Sequence, residues 1–101
     1  LASRLTAADN WLKTNIGPLI SSPAFADTLL VITFDEAATS DRTYGGGHIA
    51  TVLISPKVKP GYQGSGLYQH QNLERLIGNA LRLSAVPGAG SSAGSMGEFF
   101  Q

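Results

Sequence analysis

Leu29-Leu30-Val31-Ile32-Thr33-Phe34-Asp35-Glu36 is a run of apolar and β-branched residues that ends in two adjacent carboxylates. A short continuous apolar run reads as a strand buried in a sheet covered on both faces. A bare carboxylate is costly to bury unless it is paired or binds a cation. In open α/β sheets, ligands gather just outside the carboxyl ends of the strands. A strand that delivers Asp35 and Glu36 to that edge therefore carries a candidate metal or catalytic site.

The surrounding pattern is that of an α/β chain. Leu5, Ala8, Leu12, Ile16 and Leu19 recur at helical spacing, which predicts a helix over about Ala2 to Ile20 that ends or kinks at Gly17-Pro18. Ser21-Ser22-Pro23 is turn chemistry, and Phe25 is expected to tuck back onto the core. The first strand is expected over about Thr28 to Phe34. An aperiodic loop with three consecutive glycines, Gly45 to Gly47, separates it from a second strand over His48 to Ser55. Leu73, Leu76, Ile77, Ala80 and Leu81 mark an amphipathic helix over about His70 to Leu83. The tract from about 88 to 95, rich in Gly and Ser, reads as a flexible linker. Beyond it, Phe99 and Phe100 are expected to dock on the main body.

The link between the two strands is too short and too glycine-rich for a crossover helix. A parallel neighbour needs a connection of a dozen or more residues, usually helical. The second strand is therefore antiparallel to the first or lies further away in a larger sheet. In the antiparallel case His48 shares a rim with Asp35 and Glu36. Two carboxylates and an imidazole form a ligand set for a divalent cation such as zinc or manganese.

Each of these signals also has a plainer reading. Asp35 and Glu36 could be solvated acids opening a loop, and His48 an exposed structural histidine. His70 stands where a helix N-terminus favours anions, or serves only as a terminal hydrogen-bonding residue. Arg42 could meet an anionic substrate or pair locally with Asp41. The three glycines could cradle a phosphate, but more simply give a lid or a chain reversal.

Composition narrows the classes. Seven Lys+Arg balance seven Asp+Glu, so no basic surface suggests nucleic acid. Cysteine is absent, which excludes disulfides, thiolate metal sites and a Cys nucleophile. No apolar run approaches the ~20 residues of a transmembrane helix. The sequence opens on Leu1, inside a helical pattern and without a signal peptide, so a fragment or a processed product is expected.

The ordered set ITFDEA, GGGHIATVLISPKVKPG and YQHQNLERLIGNALRL resembles the C-terminal part of the bacterial phosphoesterase family that includes acid phosphatases and non-haemolytic phospholipases C. The resemblance runs over about Leu5 to Phe100. It implies an alkaline-phosphatase-like mixed sheet flanked by helices, of which residues 1–101 form the C-terminal portion of a single domain. It implies a divalent metal ion held by Asp35 and Glu36, with His48 as a further contributor, and places His70 and Arg42 near a phosphoester substrate. It also implies a periplasmic or secreted protein. The family's Ser or Thr nucleophile and remaining ligands have no match in this chain, so about half the site is expected here. The alternative is a non-catalytic fragment, or a metal-binding or assembly module. A truncated sheet would expose unpaired edges, so association with the missing N-terminal half or with itself is expected.

Overall fold

A computed structural model describes residues 2–101 and shows a mixed α/β chain built around a small two-stranded antiparallel sheet. It divides into two compact units, the first ending at Pro56 and the second running from Lys57 to Gln101.

In the first unit, helix α1 (Ala2–Asn15) is followed by a single turn, α2 (Gly17–Ile20). The break falls where the sequence places it. Pro18 has no N–H to continue a ladder, but its fixed φ suits the first turn of a new helix. A 3-10 turn over Pro23–Asp27 then buries Phe25. Strand β1 (Leu30–Thr33) pairs with β2 (Thr51–Ile54) in the register Leu30↔Ile54, Val31↔Leu53, Ile32↔Val52 and Thr33↔Thr51. The Thr33 and Thr51 hydroxyls meet at 2.8 Å, closing the ladder at the end nearest the acidic pair.

Both strands are shorter than the apolar runs suggest, for local reasons. The Thr28 N–H bonds to Phe25 O at 3.1 Å and its hydroxyl to Ala24 O at 2.8 Å, so Thr28 closes the 3-10 turn instead of opening the strand. At the other strand, the His48 N–H is directed to a side chain and not to the ladder. The sheet is also less covered than expected. Leu30 to Ile32 are half-buried, while Phe34 is 55% and Val52 47% exposed. Within this unit the strands contact each other, and none of the residues of either strand is fully buried.

In the second unit, α3 (His70–Ala80) follows the loop from Lys57 to Gln69. Asn72 Oδ1 accepts the Gln69 N–H at 2.8 Å, and the Asn72 N–H returns to Gln69 O at 3.0 Å, so the helix start is clamped reciprocally. The helix stops at Ala80, three residues earlier than the apolar periodicity suggests. Arg82 adopts φ 54°, its N–H bonds to Asn79 O, and the Leu83 N–H reaches back to Gly78 O, both at 3.0 Å. That is a Schellman closure with arginine in the left-handed position usually taken by glycine. The tract after Pro87 forms a 3-10 turn, Gly88–Ser92, packed on α3. Gly78 admits Val86, just ahead of that turn, since a Cβ on Gly78 would lie 2.6 Å from Val86 Cγ2. The tail ends in another 3-10 turn, Gly97–Phe99, with Met96 buried beneath it.

Left-handed backbone costs a side-chain-bearing residue about 1–2 kcal/mol, partly offset by the freedom glycine loses on folding. Arg82→Gly should therefore stabilise the protein by roughly 0.5–1 kcal/mol, read as a higher urea midpoint at unchanged slope. Gly78→Val should lower the midpoint by the equivalent of about 1–3 kcal/mol, because Val86 is stiff and has to move.

Candidate functional site

β1 ends at Thr33, and Phe34, Asp35 and Glu36 continue past it on the surface. The loop that follows turns straight back. The Ala37 N–H bonds to Gly46 O at 2.7 Å, and a Cβ on Gly46 would be 4.0 Å from Glu36 Cβ, so the run of three glycines lies beside Glu36. Inside the loop the Asp41 N–H bonds to Ala38 O at 2.8 Å, and a 3-10 turn spans Thr43–Gly45.

Asp41 organises this loop. Its Oδ1 accepts the Thr43 N–H at 3.0 Å and its Oδ2 accepts the His48 N–H at 2.9 Å. The first bond is an Asx turn, and the second spans the glycines and fixes where the chain leaves the loop. The His48 N–H, then the Thr43 N–H and the Thr43 hydroxyl, hold the Asp41 carboxyl down from its ordinary 3.8 to about 2. Gly47 completes the reversal at φ 78°, where a Cβ would come within 2.6 Å of both Ala37 Cβ and Asp41 O. Only glycine fits that position.

The antiparallel option is the one realised, so the chain after Thr33 and the chain before Thr51 lie at the same rim of the sheet. The paired ladder ends at Thr33–Thr51, and beyond it the Ala37 N–H on Gly46 O is one residue out of that register. Among the described residues, no three His, Asp or Glu side chains are grouped to hold a metal ion.

The remaining candidates fall as follows. Arg42 is exposed at the start of the 3-10 turn, and its Nε reaches Thr39 O at 3.5 Å. Asp41 gives both its oxygens to backbone amides, so it serves as a loop brace and not as a simple surface partner for Arg42. His70 is the exposed first residue of α3, in the second unit. The glycine amides are not available as a phosphate cradle. The Gly45 N–H bonds to Arg42 O, and those of Gly46 and Gly47 bond to Thr43 O. The glycines make a chain reversal.

Two residues escaped the sequence reading. Asp41 could have been found from the Asx-turn spacing Asp41-Arg42-Thr43 just ahead of a glycine run. Tyr44 adopts φ 53° and is 70% exposed, a strained conformation for a bulky residue that no sequence pattern announces.

Residues 2–84 match the model of the Phosphoesterase family. The chain belongs to the phosphoesterase family. No curated protein and no solved structure gives a match. The phosphoesterase segment contains Asp35, Glu36, Arg42, His48 and His70, and leaves the tail from Ala85 onward outside it.

A carboxyl whose folded value lies below its unfolded one adds stability above the unfolded value and loses it as pH falls through the folded one. The Asp41 brace should therefore be complete above about pH 4 and fail as pH falls toward about 2. Amide proton shifts of Thr43 and His48 should titrate together with that midpoint, and the step should vanish in Asp41→Asn.

Proposed function

We propose that this chain supplies the strand-end share of a divalent-metal site for the hydrolysis of phosphoric esters. Phosphoesterase membership supports phosphoester hydrolysis as the general reaction. The observation that supports the finer reading is the acidic pair just past the end of β1, at the rim where the Asp41-braced loop returns the chain toward β2.

The donor types fit a divalent cation. Carboxylate oxygens and an imidazole nitrogen are what zinc or manganese prefers, and adjacent carboxylates repel one another until a cation lies between them. A cation bound there supplies Lewis-acid polarisation of a phosphoryl oxygen and lowers the pKa of the attacking hydroxyl or water. Asp35 and Glu36 hold it. His48 completes the coordination or donates a hydrogen bond to a phosphoryl oxygen, and Asp41 orients it by fixing its backbone N–H. Arg42 and His70 are substrate-proximal. His70 stands at a helix N-terminus, where an anionic group is favoured.

In this reading the nucleophile and the remaining ligands come from outside the chain. Two observations support it. The rim has no closed three-ligand group among the described residues, and Phe25 and Met96 are the buried apolar side chains, while Leu5, Trp11, Phe34 and Val52 lie exposed. Surface of that kind suits a covering partner, the missing N-terminal half of an alkaline-phosphatase-like domain or a second copy. The substrate class is a phosphomonoester or a phospholipid-type phosphodiester, and the location periplasmic or secreted. The incomplete rim also favours a second reading for the chain by itself, a module with no activity of its own.

In the intact protein, Asp35→Ala should cut metal-dependent hydrolysis of p-nitrophenyl phosphate by at least about 100-fold, with less metal retained. Normal turnover with normal metal content would sink the assignment. Residues 1–101 alone, supplied with zinc or manganese, should show no turnover, and robust hydrolysis would refute the divided site.

A further inference from the structure

The acidic residue most heavily engaged in the second unit is Glu98, which lies outside the segment that matches the phosphoesterase family. Its Oε2 accepts the Tyr62 hydroxyl at 2.6 Å, and its Oε1 accepts the Tyr68 hydroxyl. Its backbone carbonyl accepts Lys59 Nζ at 2.8 Å, and that ammonium also lies 5.2 Å from the centre of the Tyr62 ring. The next residue, Phe99, packs edge-on against both tyrosines with ring centres 5.5 Å apart. The main chain joins in. Val58 and Phe100 form an antiparallel bridge, with the Lys59 N–H on Phe99 O at 2.8 Å and the Gln101 N–H on Lys57 O at 2.9 Å. Tail and loop are thus clasped by a carboxylate shared between two phenols, an aromatic wedge and a short backbone ladder.

The clasp fixes the chain just before His70, and the same tail fixes it just after. Tyr68 is two residues before His70 and is fixed at its hydroxyl by Glu98. Asn72 is two residues after it. Its side-chain amide donates to Gly94 O at 3.0 Å while its Oδ1 clamps the Gln69 N–H. The segment that carries His70 is therefore pinned at both ends by the tail from Gly94 to Phe99. Exposed phenols would otherwise exchange their hydrogen bonds with water. Here the two phenols, with Lys59 nearby, hold the Glu98 carboxyl below its ordinary value, and the carboxylate raises both phenols.

We infer that Glu98 is a positioning residue for His70, acting through Tyr68, so that the C-terminal tail sets the geometry of a substrate-proximal histidine. The functional half of this inference rests on the reading of His70 given above; the positioning half does not.

The chain has two histidines, so His48 serves as an internal control. In the intact protein, Glu98→Gln and Tyr68→Phe should shift the His70 imidazole proton–carbon resonances and speed amide exchange at Gln69 and His70 by about tenfold, with His48 unmoved. Tyr68→Phe keeps the ring on Phe99 and removes one hydroxyl, so it reads the linkage without removing the wedge. Hydrolysis of p-nitrophenyl phosphate should lose about tenfold in kcat in both variants, with KM within about twofold. Faster exchange at Lys59 and Gln101 with unchanged His70 resonances would overturn the inference, since Glu98 would then only fasten the tail. If His70→Ala retains full activity while the resonance shifts occur, positioning stands and the functional reading of His70 fails. If His70→Ala is inactive but both variants leave His70 resonances unmoved, the site reading survives and the positioning fails.

Discussion

The candidate rim depends on one carboxylate that does no chemistry in the proposed reaction. Asp41 accepts the N–H of Thr43 with one oxygen and that of His48 with the other. Hydrogen bonds to an ionised acceptor are about twice as strong as neutral ones. Here they join two positions separated by Tyr44 and three glycines, a stretch with little conformational preference of its own. The left-handed Tyr44 and the tight reversal at Gly47 are geometries that such a loop adopts only when something overdetermines them. The same bond commits the His48 N–H to a side chain, three residues before β2 begins at Thr51.

The second unit repeats this logic with different chemistry. Glu98 is committed to two phenols where Asp41 is committed to two amides. Neither unit has much apolar interior, since Phe25 and Met96 are the buried hydrophobic side chains. With so little area removed from water, long-range order rests on polar anchors whose geometry is directional. That arrangement defines individual loops well, and it leaves apolar faces such as those of Leu5 and Trp11 on the surface.

Much of the fold was legible because it follows from local pattern. The periodicity of α3, the break at Gly17-Pro18 and the inward turn of Phe25 follow from neighbouring residues, while the short connection left antiparallel pairing as one of two options. Element ends were less legible, because they are set by competing hydrogen bonds. Thr28 is captured by Ala24 and Phe25, His48 by Asp41, and Arg82 closes α3 in a conformation its side chain disfavours. In the candidate site, Asp35 and Glu36 are proposed from a strand end and His48 from a topological argument. Asp41 was passed over because an Asp-Arg pair suggests an ion pair more readily than a backbone brace. Glu98 could not be read at all. Its partners Tyr62 and Tyr68 are 36 and 30 residues away, and no periodicity relates residues across that distance.

That separation also orders the events of folding. The Thr33–Thr51 contact closes a span of 18 residues, whereas Gln101 reaches Val58 across 43. Each doubling of a flexible loop costs about 0.6 kcal/mol of closure entropy, so the longer span, more than twice the shorter, carries a further penalty of about 0.8 kcal/mol. Local hairpins form within microseconds, and distant contacts wait on chain diffusion. The rim around Asp41 is thus assembled early, and the tail latch closes late. By the same reasoning the latch is the part that opens most readily under mild stress, while the hairpin is still intact.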